Sequence, residues 1–226
     1  MEIFGASDSC NQFKVIRQPV FRVWAELCNL IMTDIVGYGG RLTHFLQNWK
    51  QITTDQWVIS IIEMGYKLEF LQRPQFVGIK KTIVSQENLP IFMKEIDSLK
   101  EKNVIEKVPY PMNLAGFYST LFLVPKKNGK MRMVTNLKPL NLLLKKIHFK
   151  MDTMSKVINL VKPKDWAISL DLSDAYLHVP IFQNHRKFMR FCIHNQCYQW
   201  KAMCFGPTFA PRIFTTRTLS TLKWWA

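Results

Sequence analysis

Apolar positions set the first landmarks. Leu89, Phe92, Met93, Ile96 and Leu99 recur at steps of three and four, while Lys94, Glu95, Lys100, Glu101 and Lys102 take the positions around them. That period lays one apolar stripe on an α-helix. Asn88 followed by Pro90 suits its start. Upstream, Leu42, Phe45, Leu46 and Trp49 within 41–50 also follow helical spacing. Gly37-Tyr38-Gly39-Gly40 before them reads as a flexible turn. Residues 55–71 are apolar around Gly65, and Pro74 closes them. The first 36 residues show little periodicity, so 1–80 reads as a leader, a connector from something upstream.

Beyond residue 103 the period shortens. Residues 104–108 (VIEKV) predict a short strand, Pro109 and Pro111 bracket a loop, and 117–124 (FYSTLFLV) predict another strand. Lys126-Lys127-Asn128-Gly129-Lys130 reads as a hairpin tip, because Asn-Gly takes the positive φ angles of a tight turn. Residues 131–137 return as a strand. A basic helical stretch comes next at 140–147, then a helix near 152–161. Residues 166–172 (WAISLDL) predict a buried strand ending on a carboxylate. Two more strands are expected at 186–194 and 197–203, and Pro207 opens a helix running to about 222. No internal repeat or low-complexity segment interrupts this. Mixed α and β elements in this order argue against a doubly wound nucleotide fold.

Composition narrows the partner. With 226 residues, 48% of them hydrophobic, a sizeable core is within reach and wholesale disorder is excluded. Thirty-one lysines and arginines face 16 acids, a formal charge of +15. That excess favours a polyanion: nucleic acid, or less often an acidic membrane surface. Aromatics at 13% tip the balance toward nucleic acid, against a merely basic soluble protein. No stretch approaches the ~18 apolar residues of a membrane span. The first 11 residues carry Glu2 and Asp8 and do not read as a signal peptide. The five cysteines, at 10, 28, 192, 197 and 204, are odd in number and scattered, which fits a reduced intracellular protein.

Three features carry candidate chemistry. Segment 121–150 holds Lys126, Lys127, Lys130, Arg132, Lys138, Lys145, Lys146 and Lys150 and no acid. Lysines on a hairpin tip reach a flexible polyanion such as a triphosphate, and Arg132 offers a planar fork to phosphate oxygens. The same pattern also serves as a solvated basic loop. In Leu170-Asp171-Leu172-Ser173-Asp174-Ala175-Tyr176, Asp171 stands where an apolar strand ends. A carboxylate there is costly to bury without a cation or strong donors. Hard oxygen ligands suit Mg²⁺, and two such ions ~3.5–4 Å apart can hold both oxygens of a phosphoryl transfer. A helix-capping aspartate is the competing explanation, and Asp174 fits it well. In Met203-Cys204-Phe205-Gly206-Pro207, glycine lets backbone come close to a ligand, although Gly-Pro also commonly just begins a helix. Cys192, His194, Cys197 and Cys204 match no closed zinc spacing.

The order and spacing of these features resemble the reverse transcriptases of retroelements, over about residues 89–215. PKKNGKMRMVTNLKPLN (125–141) is similar to the family's fingers hairpin and the helix after it. ISLDLSDAYLHVPI (168–181) is similar to its first palm motif, and YQWKAMCFGPTFAPRIF (198–214) to its second. Residues 40–72 resemble the connector before the polymerase in tyrosine-recombinase retrotransposons, the DIRS group. The resemblance implies an α+β fold, the fingers plus an incomplete palm of a right-hand polymerase, with 1–80 as connector and 81–226 as the reverse transcriptase domain.

The resemblance also implies roles. Asp171 would bind two Mg²⁺ ions (or Mn²⁺), with the Leu172 carbonyl as a backbone ligand. Asp174 and Ala175 would lie against the triphosphate, offering N–H groups. Tyr176 would be the aromatic beneath the incoming sugar, where a ring clashes with a 2′-hydroxyl and so selects deoxynucleotides. Lys126 and Arg132 match the fingers residues that close on the triphosphate. Lys127 shares the role of Lys126, because the hairpin is one residue shorter than in retroviruses. Phe205 and Gly206 would flank the nucleotide; retroviral enzymes commonly carry glutamine where Phe205 stands. Asn141 and Pro211 match positions read as structural. Implied partners are an RNA or DNA template-primer, deoxynucleoside triphosphates, and the rest of the polymerase: further palm, thumb and RNase H.

One element of the pattern is missing. The family's third palm motif carries two adjacent aspartates, yet no Asp or Glu comes after Asp174. The expectation is therefore a truncated polymerase that does not polymerise alone, with a nucleic-acid-binding remnant as the alternative. An unfinished palm sheet also predicts an unpaired edge and an exposed apolar face, hence self-association.

Overall fold

A computed structural model describes residues 12–16, 37, 39–125, 129, 131–148, 166–170 and 174–214. The strands in chain order are β1 (Gln12–Ile16), β2 (Lys81–Thr82), β3 (Ile105–Lys107), β4 (Tyr118–Ser119), β5 (Leu121–Pro125), β6 (Met131–Thr135), β7 (Trp166–Leu170), β8 (Arg190–Ile193) and β9 (Gln196–Trp200). The helices are α1 (Leu46–Ile52), α2 (Gln56–Met64), α3 (Leu89–Glu101) and α4 (Lys138–Leu143), with residues 210–214 also helical.

The expected helix over 41–50 begins as a 3₁₀ turn, Arg41–Phe45, and continues as α1. Asp55 caps α2, its carboxylate accepting the N–H groups of Trp57 and Val58 at 2.9 and 3.4 Å. Gly65 ends α2 at φ 89, where a Cβ would fall 2.5 Å from the Phe182 nitrogen. Glycine is thus needed for the close approach of the next residue. Tyr66 N–H donates to the Pro180 carbonyl at 2.8 Å, and Phe182 N–H returns to the Tyr66 carbonyl at 3.0 Å. A few residues on, the strap switches neighbour. Lys145 N–H donates to the Glu69 carbonyl at 2.8 Å and Leu71 N–H to the Leu143 carbonyl at 2.9 Å.

That strap explains one departure from the sequence pattern. The helix expected over 140–147 stops at Leu143, because Leu144 and Lys145 pair with Phe70 and Glu69 instead. The strand expected over 117–124 is split at Thr120. Before it, β4 pairs with β8; after it, β5 pairs with β6. Asn136 N–H donates to the Thr120 carbonyl at 2.7 Å, and Leu121 N–H to Thr82 Oγ1 at 3.0 Å, which fixes the switch between sheets. The strand expected over 186–194 begins only at Arg190, since Gln183–Phe188 form 3₁₀ turns. The expected 197–203 strand ends at Trp200. The helix near 152–161 lies outside the described residues.

The larger sheet has five strands in the order β2-β8-β9-β3, with β4 also on β8. β2 and β4 lie end to end along one edge of β8, both parallel to it. β8 and β9 form a tight hairpin through His194 and Asn195, whose φ values of 46 and 62 suit a two-residue turn. β5 and β6 make a separate hairpin, and β1 pairs with β7 antiparallel, Gln12 opposite Leu170.

The α3 stripe does what its period implies: Phe92 and Ile96 are buried. They join one core with Ile61, Tyr66 and Leu68 from the N-terminal strap, Leu137 and Leu140 from α4 and its entry, and Leu177, Met203 and Ile213. Burying a side chain of this size stabilises by about 1.5–3 kcal/mol. The core thus ties residues from the 1–80 segment to those of 81–226.

Candidate functional site

Asp171, Leu172, Lys126 and Lys127 lie outside the described residues. A turn begins at Asp174. Asp174 adopts a left-handed conformation, φ 52 and ψ 35, which short polar side chains tolerate better than others. Its carbonyl accepts Leu177 N–H at 2.8 Å and starts a 3₁₀ turn, Ala175–His178. This turn keeps Ala175 buried and brings Tyr176 to the edge of the core. The Asp174 carboxylate pairs with Lys102 Nζ at 2.7 Å.

Tyr176 meets two other rings edge-on. Its centroid lies 4.9 Å from Phe205 at 67° and 5.6 Å from Phe214 at 87°. Such edge contacts suit the aromatic quadrupole. Phe214 is buried, whereas Phe205 is 55% exposed, an unusual cost for a large apolar ring at the end of a structured loop. Gly206 beside it takes φ 114, a region that disfavours any side chain. Asn141 on α4 clamps this loop from both ends of its amide. Nδ2 donates to the Gly206 carbonyl at 2.9 Å, and Oδ1 accepts Thr208 N–H at 3.1 Å.

Arg132 is exposed on β6, opposite Val124. Three residues later the strand ends at Thr135, whose carbonyl lies 3.8 Å from where a Gly206 Cβ would stand. The root of the basic hairpin therefore adjoins the Phe205–Gly206 loop. Of the residues expected at the site, Asp174, Ala175, Tyr176, Phe205 and Gly206 come together, and Arg132 sits on the strand leading into them.

Sequence reasoning missed Lys102. It is one of several lysines on or beside α3, and only the fold brings it to Asp174, 72 positions away. The structural role expected of Asn141 gains a specific target in its double clamp. Cys192 and Cys197 face each other across the β8–β9 hairpin, both buried. Burial, then the hydrogen bond with Cys197, pushes the Cys192 thiol up to about 12. Among the described residues, no three His, Cys, Asp or Glu side chains gather as a metal-binding group. No helix among them is long and apolar enough to cross a membrane.

The family model for reverse transcriptase (RNA-dependent DNA polymerase) matches residues 124–226. The genome polyprotein of Petunia vein clearing virus (isolate Hohn) is 29% identical over 135 residues, 58% of this chain and 6% of that protein. The enzymatic polyprotein of Cestrum yellow leaf curling virus is 27% identical over 150 residues, 66% of this chain and 23% of that one. The chain thus matches a small part of each relative's length. Among solved structures, a foamy viral protease-reverse transcriptase in complex with double-stranded DNA aligns with a TM-score of 0.50 and 19% identity, over 69% of this chain and 26% of that one. At that identity the likeness concerns the fold. These matches do not bear on the DIRS-type resemblance of residues 40–72.

Proposed function

Because this chain belongs to the reverse transcriptases of retroelements, we propose that it supplies the fingers and the first part of the palm of an RNA-directed DNA polymerase. On this reading residues 81–226 are the polymerase portion, and 1–80 the connector before it. The observation that carries the proposal is the convergence of the Asp174–Tyr176 turn and the Phe205–Gly206 loop beside the root of the Arg132 hairpin.

In the reaction, a primer 3′-hydroxyl attacks the α-phosphorus of a deoxynucleoside triphosphate, and pyrophosphate leaves. The N–H groups of the Asp174–Ala175 turn face the triphosphate oxygens. Arg132, together with Lys126 and Lys127 of the expected hairpin tip, would neutralise charge that builds on the leaving phosphates. Tyr176, held edge-on by Phe205 and Phe214, forms the floor under the sugar and leaves no room for a 2′-hydroxyl. The Asp171 carboxylate and Leu172 carbonyl are hard oxygen donors of the kind Mg²⁺ or Mn²⁺ takes, and would hold the catalytic ions. When bound, such a pair lowers the charge on the attacking and leaving oxygens.

One carboxylate is too few to organise two ions. No Asp or Glu comes after Asp174 in these residues, which favours a second conclusion: the 226 residues alone bind nucleic acid and nucleotide without polymerising. The net charge of +15 suits a polyanionic template-primer, and the foamy viral neighbour was solved with double-stranded DNA. The remaining palm, a thumb and an RNase H region are the expected companions.

The test is a salt titration of purified chain with a labelled RNA–DNA primer-template, then addition of all four deoxynucleotides and Mg²⁺. Binding whose logarithm falls steeply with the logarithm of salt, without extension, is expected. No binding at low salt would sink the proposal. Extension abolished by Asp171→Asn would overturn the binding-only clause.

A further inference from the structure

Lys102 has no part in the proposed reaction, yet it is tied into the site from two directions. It caps the C-terminal end of α3. Its Nζ lies 2.7 Å from Asp174 Oδ2, with the two side chains 33% and 30% exposed. Its own carbonyl accepts Gly39 N–H at 2.9 Å, while Gly40 N–H donates to the Leu177 carbonyl at 3.0 Å. Two consecutive glycines therefore touch both the backbone that carries the cation and the turn that begins at the carboxylate. The fit is close: a Cβ on Gly39 would fall 1.9 Å from the Asn103 carbonyl oxygen. Asn103 is itself left-handed, at φ 57, and its side chain accepts Lys201 Nζ at 2.6 Å.

We propose that Lys102 is a positioning residue for the nucleotide: it neutralises the Asp174 carboxylate and holds the 174–175 turn so that its N–H groups can meet a triphosphate. The inference rests on the nucleotide-binding role proposed for that turn. A free carboxylate one residue from those N–H groups would repel the anion they receive. A left-handed aspartate is still less favoured than a glycine there, so the turn gains from outside support. The ion pair supplies both the charge and the support. The Gly39–Gly40 contacts extend the latch to the segment before α1, so that the N-terminal residues help to set the pocket.

The test measures binding of dATP with Mg²⁺ to the full 226-residue chain, together with hydrogen exchange of residues 174–179. Lys102→Met is expected to weaken binding about fivefold, the upper range for a partly exposed pair, and to speed exchange. Lys102→Arg keeps the charge and is expected to hold both close to the starting values. Adding Asp174→Asn to Lys102→Met removes the carboxylate and is expected to recover most of the lost affinity. A double variant as weak as Lys102→Met would overturn the proposal, because the lysine would then act on the triphosphate directly or only on folding. Unchanged binding in Lys102→Met would sink the latch alone. A starting chain that binds no dATP would sink the nucleotide reading, and the latch with it.

Discussion

Asn141→Ala is the sharpest perturbation of the site that leaves its nucleotide-facing groups in place. The Asn141 amide makes two long-range hydrogen bonds, to the Gly206 carbonyl at 2.9 Å and from Thr208 N–H at 3.1 Å. A single hydrogen bond contributes about 0.5–1.5 kcal/mol net, and both of these are exposed enough for water to replace part of the loss. The expected cost is therefore about 1–2 kcal/mol in urea unfolding, with the slope unchanged. The more specific effect is local. Without the clamp, residues 205–208 lose their tie to α4, and Phe205 no longer holds its edge against Tyr176. Hydrogen exchange at 205–208 is expected to rise before that of the α3 core. Asn141→Asp sharpens the test, because it keeps an acceptor for Thr208 N–H but sets a second oxygen against the Gly206 carbonyl. It is expected to cost at least as much as alanine. A loss below about 0.3 kcal/mol with unchanged local exchange in both variants would refute the clamp.

The same geometry sets three further outcomes. Gly39→Ala places a Cβ 1.9 Å from a backbone oxygen that cannot rotate away, so a loss of about 1–3 kcal/mol is expected by urea unfolding; a neutral substitution would contradict the close approach. Ile62→Ala, at a residue with 0% exposure on α2, is expected to cost about 2–5 kcal/mol. A negligible change would detach that helix from the protein's interior. His185 Nδ1 accepts Leu68 N–H at 2.9 Å, and burial, then the charges of Lys187, Lys67 and Arg73, hold its pKa below the usual histidine value. The unfolded chain thus binds this proton more readily than the folded one. The contribution is complete above about pH 6.5 and lost as pH falls through the lower folded value. Melting temperature is expected to drop from about pH 7 to about pH 5, and less so in His185→Asn; equal slopes would remove His185 as the cause.

Much of this was legible in the chain because it is local. The α3 stripe and the antiparallel pairing of β5 with β6 carry their meaning in short stretches of the chain. Asn88 marked the start of α3 correctly, although its side chain donates to Ser85 Oγ and makes no cap bond. What the pattern could not show is competition between distant segments. Residues 144–147 kept a helical composition, but the strap at 69–71 offered the backbone there a partner. Thr120 interrupts an apolar run only because two different sheets claim its neighbours. Lys102 and Gly39 gave no signal at all, since a solvated helix lysine and a turn glycine look alike in most chains. Asp171, Leu172, Lys126 and Lys127 carry their expected roles on the motif alone.

The most direct test of the central claim compares dATP with ATP, each with Mg²⁺, on the starting chain, Tyr176→Ala and Tyr176→Phe. The expected result is dATP bound about tenfold more tightly, a difference of ~1.4 kcal/mol, with the preference kept by phenylalanine and lost with alanine. Equal binding of dATP and ATP by the starting chain would contradict the reading of Asp174, Tyr176, Phe205 and Gly206 as a deoxynucleotide pocket.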